Sequence, residues 1–162
     1  MAEKVDRRVR KTKAQLRAGL ARLMQKKSIK EITVKELVEE VDINRSTFYL
    51  HYTDIYQMLE SIEGELMDEI SHLIDDYALD PINNKESSYP FIEQIFTILD
   101  NNKDICIALL GKNGDMAFVN RIEGLIAETV FQRLSSRMPK DNRDIEYAYA
   151  FCLNGCVGMI KA

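Results

Sequence analysis

The chain has 162 residues, of which 46% are apolar and 30% charged, with seven glycines and only three prolines. That length can bury a sizeable core, and sparse Gly and Pro without strict apolar–polar alternation favours helices over sheets. No run of about 18 apolar residues could span a bilayer, and the charged start MAEKVDRRVRK lacks the apolar core of a secretory signal, so a cytoplasmic protein that does not engage the membrane is expected.

The net charge of −4 hides an asymmetry. Residues 1–53 carry 13 Lys/Arg against 7 Asp/Glu, whereas residues 54–162 carry 9 against 19. A basic head on an acidic body suits a polyanion at one end only, although a solvated basic helix has the same composition. The odd number of cysteines, Cys106, Cys152 and Cys156, in apolar surroundings reads as reduced core residues.

In chain order, residues 4–13 form a basic lead-in. Helical periodicity begins near Arg8 and is clear in the stripe Leu16, Leu20 and Leu23. KKSIKEI breaks that pattern. Thr33 with Glu36 matches a capping box, and Val34, Leu37, Val38 and Val41 form the inner face of a second helix. Asp42-Ile43-Asn44 is a turn, with Asn44 an N-cap for a third helix from Arg45 to about Tyr52. Phe48 and Tyr52 face inward with Ile43, leaving Ser46, Thr47, Tyr49, Leu50 and His51 largely outward. Two short helices, a tight turn and an outward polar face describe a helix-turn-helix.

Such a helix can enter a DNA major groove. Arg45 can donate two bonds to guanine, Thr47 can bond a base or phosphate, and Tyr49 offers a phenol and a ring. Leu50 can make only apolar contact, and His51 is placed for a phosphate. The start of the second helix, Thr33-Val34-Lys35, presents free amides and a mobile charge to a phosphate.

Asp54, with Gln57 three residues on, starts a fourth, long helix along Leu59, Ile62, Leu66, Ile70, Leu73 and Tyr77. LDPINNKESSYP, residues 79–90, is a loop or hinge. A fifth helix follows through Ile92, Ile95, Phe96 and Leu99, broken at Asn101-Asn102. A short sixth runs from Asp104 to Leu110-Gly111, and GKNGD is a second loop. A seventh carries Phe118, Ile122, Leu125 and Ile126 and ends near Met138-Pro139. The last begins at Arg143 or Asp144 and carries Ile145, Ala148, Cys152, Cys156, Val157 and Ile160.

No catalytic constellation is visible. The two histidines, His51 and His72, lie on different helices without ligand-spaced partners, and no Gly-rich phosphate loop occurs. Neither an enzyme, a metal site nor a cofactor is expected. Phe91, Phe96, Met116, Phe118 and Tyr149 are candidates to line an apolar ligand pocket, although such residues equally fill a core. Cys152 and Cys156 share a helix face that, with Met159 and Ile160, suits packing at a dimer seam.

The run TVKELVEEVDINRSTFYLHYTD, with RRVRKTKAQLRAGLARLMQKKSIKEI before it, resembles the signature of the TetR/AcrR family of bacterial transcriptional regulators over about residues 7–60. The tail FCLNGCVGMIKA more weakly resembles a branch that includes dihydroxyacetone-kinase regulators. The resemblance implies an all-α homodimer: a helix-turn-helix DNA-binding domain at 1–53, then a helical ligand-binding and dimerisation domain at 54–162. It further implies that each subunit reads half of a palindromic double-stranded operator, most often as a repressor, and that a small-molecule effector releases the DNA. Carried over by position, Lys35, Arg45, Thr47, Tyr49 and His51 contact DNA, with Thr33 at a phosphate. Two departures stand out. The phosphate-binding lysine usual just inside the fourth helix is Ile55 here. The family's last two helices pair with the same two of a partner, and the resemblance places only the first of them before Ala162.

Overall fold

The computed structural model describes residues 2–79 and 89–125, together with 147, 151 and 155; side chains are described for 7–76, 93–125 and those same three. Among these residues the regular structure is helical throughout. The elements are α1 (Ala2–Lys26), a 3-10 turn (Ile29–Glu31), α2 (Val34–Glu40), α3 (Arg45–Tyr49), α4 (Ile55–Leu79), α5 (Tyr89–Asn101) and α6 (Lys103–Leu110). A further helix, α7, covers residues 116–125.

α1 begins at Ala2, earlier than the apolar stripe suggests. Alanine, lysine and arginine are strong helix formers, which suits the helical backbone of this basic lead-in. Among the described side chains burial starts at Leu16, followed by Leu20, Ala21, Leu23 and Met24. Gly19 lets α1 approach α2 closely: a Cβ there would lie 2.2 Å from Cγ1 of Val41.

The break after α1 is itself ordered. Ser28 and Glu31 form a complete capping box around the 3-10 turn. At α2 the expected box is only half made. Thr33 Oγ1 accepts from the Glu36 amide at 3.2 Å, but the Glu36 carboxylate takes the Lys27 ammonium at 2.6 Å. The carboxylate thus pairs with a full opposite charge in place of the Thr33 amide dipole.

α2 ends in a Schellman motif. The Ile43 amide bonds to the Val38 carbonyl at 2.9 Å and the Asp42 amide to Glu39 at 3.4 Å. The motif requires a left-handed residue, here Asp42 at φ 53°. Asn44 then caps α3, its Oδ1 accepting from the Ser46 amide at 2.9 Å. α3 closes at Tyr49 rather than Tyr52. The next cap competes for the chain: Asp54 Oδ1 accepts from the Gln57 amide at 2.8 Å, and Gln57 Oε1 accepts from the Thr53 amide at 3.2 Å.

α4 buries Ile55, Met58, Leu59, Ile62, Leu66, Ile70, Leu73 and Ile74 along its length; the Tyr77 side chain lies outside the described residues. Of the expected loop at 79–90, Leu79 belongs to α4 and Tyr89-Pro90 to α5; residues 80–88 lie outside the described residues. The break at Asn101-Asn102 and the turn at 111–115 lie where the sequence places them.

One core cluster joins the head to the body. It includes Leu20 of α1, Leu37 of α2, Phe48 of α3, Ile62 of α4, Leu109 of α6 and Phe118 of α7. α6 packs extensively on α1. A polar clasp lies beside that junction: the Arg17 guanidinium donates to Asn102 Oδ1 at 2.7 Å and to Glu65 at 3.2 Å, while Asn102 Nδ2 donates to Glu69 and to the Ile98 carbonyl. Between α4 and α7, the buried Glu63 carboxylate accepts from the Arg121 guanidinium.

Candidate nucleic-acid interface

The outward face of α3 follows from one inward residue. Phe48 is fully buried, and its ring meets Tyr49 edge-on, with centroids 5.4 Å apart, and Tyr52 at 5.8 Å. With Phe48 anchored, the helical rotation turns its neighbours outward. Tyr49 is 53% and Leu50 80% exposed, a high exposure for large apolar groups. Arg45 and Ser46 are exposed; Thr47 and His51 are half-buried. His51 lies against Tyr52, ring centroids 6.4 Å apart.

The hydrogen bonds sort these side chains by what they have left to offer. The Ser46 hydroxyl donates to Asn44 Oδ1 at 2.9 Å, so toward a ligand it retains acceptor capacity. Thr33 Oγ1 serves the α2 cap while the residue stays exposed. Lys35 makes only a 3.8 Å contact to Glu39, with both side chains well exposed. Such pairs contribute little, so the ammonium is available to swing toward an anion. By contrast, Arg22 is tied to Glu40 at 2.7 Å and Lys27 to Glu36 at 2.6 Å. The Arg22 hydrogen bond holds the Glu40 carboxyl below its usual range.

Two features of this region have no local sequence signal. The first is Lys13, whose ammonium lies 5.7 Å from the centroid of the Tyr52 ring. The second is the fate of position 55. Ile55 is 4% exposed and part of the core, so the first turn of α4 presents Tyr56 and Gln57 to solvent instead.

The candidate pocket residues scatter. Phe118 is buried in the common core and Met116 is 63% exposed. Phe96, half exposed, lines an open groove of about 280 Å³ with Leu99, Cys106, Ile107 and Leu110, framed by Asp100 and Lys103. Burial pushes the Cys106 thiol up to about 11, as for a cysteine packed as a small apolar group. Phe91's side chain and Tyr149 lie outside the described residues, as do Cys152, Cys156, Met159 and Ile160.

Comparison with known proteins adds two findings. Residues 86–162 match the family model for a transcriptional regulator C-terminal region of the TetR type. The fold is similar to that of a TetR transcriptional regulator from Streptococcus agalactiae 2603V, with a TM-score of 0.61 and 22% identity over 99% of this chain and 86% of that one. No curated protein matches the sequence. The all-helical architecture with an N-terminal helix-turn-helix and a helical C-terminal region is therefore the fold of that regulator.

Proposed function

We infer that this chain is a DNA-binding transcriptional regulator of the TetR family. In this reading residues 1–53 bind DNA and residues 54–162 regulate and dimerise. A homodimer places two copies of α3 in successive major grooves of a palindromic operator and acts as a repressor. Arg45, Ser46, Thr47, Tyr49 and Leu50 read bases; Thr33, Lys35 and His51 hold phosphates, with Lys35 long enough to reach a base edge as well. The observation that carries the reading is the side-by-side exposure of Tyr49 and Leu50 on a capped helix whose only buried residue is Phe48. Large exposed apolar groups in a polar, basic setting suit thymine methyls and phosphates.

A small molecule entering the body switches the protein. The Phe96 groove is the described opening that best suits it, being concave, largely apolar and framed by Asp100 and Lys103. A dimer seam on the last helix is favoured by Tyr147 and Phe151, which lie four residues apart and are 74% and 81% exposed. The weaker resemblance of the tail FCLNGCVGMIKA to the branch that includes dihydroxyacetone-kinase regulators supports a second reading. In that setting a partner protein docking over Phe96 and Ile107, both about half exposed, is the alternative switch.

The test is operator selection from a randomised duplex pool, followed by binding titrations at several salt concentrations. Wild type binds the selected inverted repeat with affinity that falls as salt rises. Tyr49→Ala loses about tenfold or more, since a good base contact is worth roughly 1–3 kcal/mol, while the melting temperature is nearly unchanged. Equal operator affinity in the two proteins would show that α3 is not the reading element.

A further inference from the structure

The sequence leaves one flank of the reading helix without a cation. No lysine or arginine occurs between Arg45 and Lys85. Beyond His51 the chain runs through Thr53 and Asp54 into α4, and Asp54 adds a negative charge there. Ile55 is turned into the core. Before α3 in the chain, by contrast, Lys35 stands at the start of α2. Phosphate contacts fix a protein's register and orientation on the duplex, and lysine and arginine are among the groups that make them.

We propose that Lys13, brought from α1 onto the ring of Tyr52, is the phosphate anchor on this flank, acting beside His51. The inference rests on the DNA-binding reading of α3. Tyr52 is 5% exposed and carries both partners on its ring: the Lys13 ammonium 5.7 Å from the centroid, and the His51 ring 6.4 Å away on the adjacent residue. A cation over an aromatic face is attracted and oriented by the ring quadrupole. Tyr52 thus works as a platform that holds the ammonium near the end of α3.

Lys13 makes no ion pair among the described residues, whereas Arg17, one turn further along α1, is committed to Glu65 and Asn102. Of these two cations Lys13 is therefore the one free to meet a phosphate. Its three donors need no fixed geometry, which suits a backbone contact that carries no sequence information.

A packing role and a phosphate role separate by salt dependence. The observed binding constant falls with salt at a logarithmic slope of about 0.9 per phosphate neutralised on duplex DNA. The experiment measures binding of full-length wild type, Lys13→Gln and Lys13→Arg to the selected operator and to a random-sequence duplex across a salt series. Thermal melting of each protein is followed alongside. Lys13→Gln is expected to shallow the slope by roughly 0.9 on both duplexes, leaving the ratio between them unchanged. Lys13→Arg restores the slope. A wild-type slope in Lys13→Gln, with binding intact, overturns the anchor while leaving α3 as the reader. A fall in melting temperature with an unchanged slope assigns Lys13 to packing and overturns the proposal equally. Absence of salt-dependent duplex binding by wild type overturns both this inference and the reading beneath it.

Discussion

α3 and α4 are neighbours in the chain but are held in place by opposite means. α3 is five residues long, far below the roughly 12–15 at which an isolated helix becomes even marginal in water. It exists because Asn44 caps one end and Phe48 plugs it into the common core. α4 is 25 residues long and buries apolar side chains on every turn from Ile55 to Ile74. The contrast shows how a fold can expose one helix face while keeping its core closed. On α3, stability is concentrated in one residue and the exposed face lies outside the core. On α4, almost every inward position contributes to stability.

The largest effect that would break this contrast is Phe48→Ala. It should destabilise by about 3–5 kcal/mol, far more than Tyr49→Ala next to it, as read by denaturant midpoints of the two variants. Similar midpoints would mean that α3 is held by its caps and not by its single buried ring.

A smaller effect tests α4. Burial lifts the Glu63 carboxyl above its usual value of 4.5, the Arg121 guanidinium opposes this, and Asp115 reinforces it. Because the folded state holds the proton more tightly than the unfolded chain, this group's contribution to stability is fully present below about pH 4.5. It is lost as pH rises through the raised folded value. Wild type should therefore gain stability relative to Glu63→Gln on acidification through that window, measured as the difference in unfolding free energy across a pH series. A difference independent of pH would mean that Arg121 cancels the cost of burial.

The smallest effect sharpens the comparison at the turn. Asp42→Gly removes the side chain from a left-handed residue that glycine adopts freely. An increase in stability of a few tenths to about 1 kcal/mol is expected, with operator affinity unchanged. A loss of stability would mean that the aspartate side chain supports the turn by more than the backbone strain it causes.

Much of the head could be read from residues that act over three or four positions. Asn44 and Asp54 cap the helices predicted for them, and the alternation of Phe48 with Tyr49 and Leu50 separates inside from outside. The half-made capping box at α2 and the early end of α3 arose where two local signals competed. Glu36 chose Lys27 over the cap of its own helix, and the Asp54 cap ended α3 before Tyr52. In the body, aromatic character alone could not separate the buried Phe118 from the exposed Met116 or the groove-lining Phe96. Apolar side chains are interchangeable until a neighbouring helix covers them.

The amino-acid order by itself determined the helix-turn-helix: capped short helices and a turn, produced by short-range hydrogen bonds and helical period, in the basic part of the chain. Only the tertiary structure decided which charges remain available. Lys13 meets Tyr52, Arg17 meets Asn102 and Glu63 meets Arg121 because packing brings α1, α4, α6 and α7 around one core. Electrostatic contacts depend on distance in space, which spacing along the chain does not reveal.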